Sequence, residues 1–253
     1  MTIRTRPAQP FAGLRPEQVA FLGEYTATTP TKQVFVQLLC WPTVSAGWAM
    51  LSQASAALRS VRGEAPAPAF SAAKGASWIH HVAPQLSFSL ERDAAAAETT
   101  LATLIRRLPL RFAVAIVEHE AGQPTGSDAL RYRSLFTASL TAYGAYLESA
   151  NQPACRALMA PSMDQQTGQA QQQIYDELLP HLDNATRLAP LALSFWPDSR
   201  MPLPLELAQL TAAAVGRHVQ DSTEASPLFE TVRTHLVPPS RFHAIGTQGR
   251  RRK

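Results

Sequence analysis

Apolar positions along this chain repeat with two different periods, and the switches between them lay out strands and helices in alternation. Gln18–Tyr25 (QVAFLGEY) and Gln33–Trp41 (QVFVQLLCW) are dense in β-branched and aromatic residues. They predict two strands joined through TATTPT, with Pro30 in the turn. Ser45–Val61 then sets Trp48, Leu51, Leu58 and Val61 on one face of a helix, and EAPAPAF at Glu64–Phe70 breaks the pattern. Asp93–Leu108 reads as a second helix through Leu101, Leu104, Ile105 and Leu108, stopped by Pro109. Arg111–Val117 (RFAVAIV) is the strongest strand, an unbroken apolar run suited to a strand covered on both faces. Ser127 caps a long helix to Glu148, with Leu135, Phe136, Leu140, Tyr143 and Leu147 inward. A short strand at Cys155–Met159, a Gln-rich helix at Gln165–Leu182 and a strand at Leu188–Trp196 follow. Helices at Leu203–Val219 and Pro227–Leu236 close the pattern.

Strands alternating with helices in the second half imply parallel neighbours, and the opening hairpin adds an antiparallel pair. The expected fold is therefore α/β, a mixed sheet of about five strands with helices on both faces. It occupies residues 18–236 as one domain, with an extended arm at 1–17 and a basic tail at 237–253. The 253 residues suffice for a sizeable core, and no apolar run is long enough to span a bilayer. The N-terminus has no apolar signal core, so a cytoplasmic protein with no membrane partner is expected. Cys40 and Cys155 stand far apart outside any C-x-x-C pair, which predicts two buried free thiols.

The net charge is +4, and Arg250, Arg251, Arg252 and Lys253 alone match it. Arg4, Arg6 and Arg15 make the other end basic too. Such termini favour DNA or RNA through counterion release, although short solvated tails explain them equally well. Nucleotide-binding glycine loops, the G-x-S-x-G elbow and H-E-x-x-H are all missing from the sequence. His80 and His81 are adjacent, so on a strand they point to opposite faces and form a poor metal pair. Glu118 and Glu120 end the RFAVAIV strand on a shared side. They suit either the start of a hard-metal site or a polar strand terminus. In LPLELAQLTAAAVGR at Leu203–Arg217, Glu206 and Gln209 fall three apart beside the apolar stripe of Leu203, Leu207, Leu210 and Ala214. That pairing suggests the wall of a site.

Taken in order, these strings resemble a large bacterial and phage family with a ribonuclease-H-like fold. Its members open on a strand ending Asp-Glu-Ser-Gly and close on a helix reading Gln-Leu-Ala-Asp. Here AFLGEYT at Ala20–Thr26 stands at the opening strand, with Gly23 at the aspartate and Glu24 at the glutamate. WIHH supplies the family's histidine segment, and Tyr132 opens its long helix. ACRALMAPS at Ala154–Ser162 has Ala160 or Pro161 where an aspartate is expected. Asp198, Ser199 and Arg200 stand at the family's Asp-Ser-Lys, and ELAQLTAAA puts Glu206 at the glutamine and Gln209 at the final aspartate.

The resemblance implies a ribonuclease-H-like domain whose relatives cut phosphodiesters with two divalent ions held by carboxylates. With Gly23, Ala160 and Gln209 in place of acids, that two-ion site reads as dismantled. The first expectation is a non-catalytic scaffold binding nucleic acid or a protein, without a cofactor. Arg250–Lys253, Arg200 and Lys32 would contact the nucleic acid, and surface rings among Trp41, Trp48 and Trp78 would stack bases. The second is a nuclease using Mg²⁺ or Mn²⁺ on a relocated set: Glu24, Glu118 or Glu120, Asp198 and Glu206. The third is a subunit of a multi-protein assembly, with both termini as docking segments.

Overall fold

The first two strands, β1 (Val19–Thr28) and β2 (Lys32–Pro42), form an antiparallel hairpin in which Phe21 faces Cys40 and Thr28 faces Gln33. Its turn is held by Thr29, whose hydroxyl accepts the Lys32 N–H at 3.0 Å, with Pro30 setting the bend. The computed structural model describes residues 14–61, 94–120, 128–161, 165–182, 185–188, 191–196, 202–223, 225–238 and 243–244. Helices α1 (Gly47–Val61) and α2 (Ala94–Arg106) precede β3 (Leu110–Glu120), which pairs with β2 along its full length. Helix α3 (Asp128–Ser149) then leads to β4 (Ala157–Ala160), parallel to β1. After α4 (Gln165–Leu178) and the single turn α5 (Ala185–Leu188), β5 (Ala192–Phe195) adds parallel to β4. Helices α6 (Leu203–Gln220) and α7 (Pro227–His235) follow, and a two-residue strand β6 (His243–Ala244) pairs parallel with β3.

The sheet order is β5-β4-β1-β2-β3-β6, and β2 alone runs against the others. The mixed α/β sheet is the one that the alternation along the chain predicts, and its first five strands are consistent with the ribonuclease-H-like α/β fold that the resemblance implies. The carboxyl ends of β1, β3, β4 and β5 lie together and define the upper end of the molecule.

Alternation of side chains divides the core in two. Val19, Phe21, Val36, Leu38 and Val114 pack with α1, α2, α6 and α7 on one face. Ala20, Leu22, Leu39, Trp41 and Ala113 pack with α3 and α4 on the other. Leu135, Phe136, Leu140, Tyr143 and Leu147, the inward stripe expected of α3, are all buried. Cys40 and Cys155 are buried free thiols, as expected, and burial pushes the Cys155 thiol up to about 11. Among the described residues, no helix is long and apolar enough to cross a membrane.

Three expectations need correcting. Trp41 and Trp48 are each 1 % exposed and offer no ring for base stacking. Trp41 lies 4.2 Å from the Tyr143 ring, and Trp48 meets Phe21 edge-on at 5.3 Å. Their apolar area outweighs their single indole N–H, so both enter the core. The end of the chain is not wholly a tail: the Val237 N–H donates to the Phe112 carbonyl at 3.0 Å, and β6 joins the sheet edge. Nor is the segment before β1 wholly an extended arm. Residues Pro16–Gln18 make a 3₁₀ turn, and buried Glu17 accepts a hydrogen bond from Ser45 at 3.0 Å.

Candidate functional site

Strand β1 outruns its parallel neighbour. It pairs with β4 only from Val19 to Phe21, while its pairing with β2 continues to Thr28. Above Phe21 the β4 side of β1 is therefore a notch with no strand in it, where unpaired backbone groups need partners. The resemblance puts Gly23, Glu24, Ala160 and Gln209 around this notch.

Helix α6 closes it. The Gln209 side-chain oxygen accepts the Glu24 backbone N–H at 3.0 Å, replacing a missing strand partner. The α6 backbone also lies directly on Gly23. A Cβ at that position would sit 2.1 Å from the Ala208 carbonyl oxygen and 2.4 Å from its carbon. One pleat further, Tyr25 fills the space left by Gly216 of α6, where a Cβ would be 2.0 Å from the Tyr25 ring. The Tyr25 hydroxyl then donates to Gln220 Oε1 at 2.8 Å. The glycine and the glutamine that stand in for acids thus seat a helix on a strand.

The Glu24 side chain points to the opposite face, beneath α3 and α4. Its Oε1 accepts from Gln171 Nε2 at 3.3 Å and from Gln37 Nε2 at 3.5 Å, and Gln37 Oε1 accepts from the Ser139 hydroxyl at 2.8 Å. Gln37, Ser139 and Gln171 are fully buried, and Gln171 Oε1 has no partner among the described residues. Arg131 stands nearby, its guanidinium 4.0 Å above the Phe35 ring and 2.8 Å from Asp128. Burial raises the Glu24 carboxyl above its ordinary value, while the Gln37 and Gln171 hydrogen bonds and the Arg131 charge draw it back.

The remaining expected site residues do not gather at this point. Glu118 lies on the α6 face of β3, with its carboxylate 3.5 Å from Lys32 Nζ. Lys32 also donates to the Val219 carbonyl in the last turn of α6. Its ammonium is thus engaged inside the fold, where it complements a helix C-terminus. Glu120 stands opposite Lys32 at the end of β3. Glu118 and Glu120 are two strands across from Glu24, about 10 Å sideways, three and five residues further along, and on the other face of the sheet. Glu206 is buried in the first turn of α6, on the helix that covers the face Glu24 does not occupy. Among the described residues, no group of three or more His, Cys, Asp or Glu side chains could hold a metal ion. Asp198, Arg200, His80, His81, Trp78 and Arg250–Lys253 lie outside the described residues.

Sequence reasoning missed Gln37, Ser139, Gln171 and Arg131. Three of them carried a signal. Gln37 is the one polar side chain within VFVQLLCW, Ser139 falls on the inward stripe of α3, and Gln171 interrupts the buried side of α4. A polar residue at a core position implies a partner, but not which one.

Two substitutions test this construction. Gln209→Leu removes the acceptor for the Glu24 N–H and should cost about 1–3 kcal/mol in urea unfolding. An unchanged midpoint would mean that the notch is held by other contacts. Glu24→Gln should raise stability at neutral pH by ~1 kcal/mol, because a group that resists ionisation becomes permanently neutral. A raised folded-state value means the wild type loses stability as pH rises from the ordinary value near 4.5 through the shifted one. The two proteins should therefore unfold alike at low pH and diverge above it; parallel pH profiles would contradict the assignment.

No family model, no curated protein and no solved structure matches this chain.

Proposed function

We propose that this chain is a non-catalytic ribonuclease-H-like scaffold that binds nucleic acid or a protein partner. The observation that carries the reading is the use made of positions 23 and 209. A carboxylate at 23 would have to displace the α6 backbone from β1, and the side chain at 209 is already committed to the Glu24 N–H instead of a metal ion. The division of Glu24 and Glu118 between opposite faces supports the same reading. Nucleic acid is the partner favoured by the basic balance of the chain, with a pI of about 9.4.

The test is incubation of the full chain with single- and double-stranded DNA and RNA in Mg²⁺ and in Mn²⁺, with binding followed across a salt series. Retention that weakens with salt, without cleavage, is the expected result. Metal-dependent cleavage abolished by Glu24→Gln or Glu206→Gln would replace this reading with the relocated-carboxylate nuclease. Concentration-dependent mass with no nucleic-acid retention would favour an assembly subunit.

A further inference from the structure

The described charges are polarised along the strand direction. The upper end carries Glu98, Glu118, Glu120, Asp128 and Asp221, against Lys32, Arg131, Arg133 and Arg217. Lys32 faces Glu118, Arg131 faces Asp128, and Arg217 faces Glu98. The lower end, where β1, β3 and β4 begin, carries Arg15, Arg106, Arg107, Arg111, Arg156 and Arg187 against Glu17 and Glu148.

Three of those arginines are anchored. Arg15 lies 3.6 Å from Glu17, Arg106 donates to Thr231 at 3.5 Å, and Arg187 donates to the Gln152 carbonyl at 3.1 Å. Arg107, Arg111 and Arg156 have no side-chain partner among the described residues. Arg107 follows α2, and Arg111 opens β3 opposite Trp41. Arg156 precedes β4, its N–H bonded to the Gln18 carbonyl at 2.8 Å. From β3 to β4 is three strand spacings, about 14 Å. Cations at a helix C-terminus offset its dipole, which accounts for Arg106 and Arg107 but not for arginines on strands. Tyr146 is half-buried, its ring tilted against that of Trp41, the residue opposite Arg111, at 5.5 Å.

We propose that single-stranded nucleic acid docks across this lower end, with Arg107, Arg111 and Arg156 on its phosphates and Tyr146 beneath a base. The inference rests on the nucleic-acid form of the reading above, and moves the contact surface to the end of the sheet opposite the notch. Free cations spaced across an edge neutralise a phosphate track, and an amphipathic ring accepts any unpaired base.

Fluorescence anisotropy of a labelled single-stranded oligonucleotide on the full chain provides the test. Arg107→Gln/Arg111→Gln/Arg156→Gln should weaken binding by about tenfold or more, and flatten the dependence of log K on log salt by roughly 2. Arg107 and Arg156 are exposed and Arg111 is half-buried, and an unchanged urea midpoint will show that the fold is retained. Tyr146→Leu should weaken binding with the salt slope intact. If the triple variant binds with wild-type affinity and slope, this inference is wrong while the scaffold reading stands. A wild type that retains no oligonucleotide at any salt would sink both this surface and the nucleic-acid form of that reading. Loss of all binding on deleting Arg250–Lys253, with the triple variant unaffected, would assign the contact to the tail.

Discussion

Gly23→Asp, the substitution that restores the acid of the resembling family, should unfold the protein instead of rebuilding a metal site. A Cβ at position 23 meets the Ala208 carbonyl oxygen at 2.1 Å, with the Gln209 nitrogen only 2.9 Å away. Those are backbone atoms in the second turn of α6, so no rotamer change relieves the overlap. The helix must lift from β1, and the lift exposes Leu205, Leu207, Ala208 and Ala212, all buried in the core of that face. Overpacking alone costs about 1–3 kcal/mol, and a buried unpaired carboxylate adds to it. The combined loss is ~4 kcal/mol, a large share of the stability of an ordinary domain. Gly23→Ala separates the two effects, since it keeps the steric overlap and omits the charge. Urea unfolding of both variants is the measurement. A Gly23→Asp protein with wild-type stability would show that α6 is not seated on β1 as described. It would also reopen position 23 as a place for an acid.

Trp48→Ala should cost about 3–5 kcal/mol and leave nucleic-acid binding per folded molecule unchanged. Trp48 is 1 % exposed and packs edge-on against Phe21 in the same cluster as Leu51, Leu101, Leu104 and Ile105. It links α1 and α2 to the strand that carries Glu24. Removing it leaves a cavity that rigid helix and sheet backbones close only in part. A tryptophan that stacked bases would behave in the opposite way, weakening binding with little effect on the unfolding midpoint. Measuring midpoint and anisotropy on one preparation distinguishes the two, and a stable variant that no longer binds would reverse the burial assignment. Trp48→Phe is the conservative control and should recover most of the lost stability.

How far the sequence alone could go is visible in particular elements. The apolar run at Arg111–Val117 and the stripe Leu135, Phe136, Leu140, Tyr143, Leu147 are local statements of periodicity, and β3 and α3 follow them. Boundaries slipped where another constraint intervened. The Gln-rich helix stops at Leu178 because Pro180 carries no N–H to continue the ladder, and a 3₁₀ turn, Leu179–His181, takes over. Leu188 belongs to the turn α5 and not to the following strand. The notch above Phe21, where β1 no longer has β4 beside it, could not be read at all, because strand lengths become comparable only when the strands are neighbours.

The candidate site shows the same division more sharply. Gly23, Glu24 and Gln209 were recognisable as positions of interest from short strings. Their physical roles depend on a bond between residues 185 apart in the sequence and on a backbone contact between strand and helix. Lys32 shows it again: as one of 23 basic residues it suggests a polyanion contact, yet its ammonium sits between Glu118 and the end of α6. The strand and helix order, the inward stripes and the two unpaired thiols were determined by the sequence itself, because hydrophobic periodicity acts within a few residues. Which side of the sheet each carboxyl occupies, which tryptophans meet water, and whether position 23 has room for a side chain were decided only by tertiary packing. Those properties depend on which distant backbone comes to rest against the residue, and a linear string of residues holds no such distance.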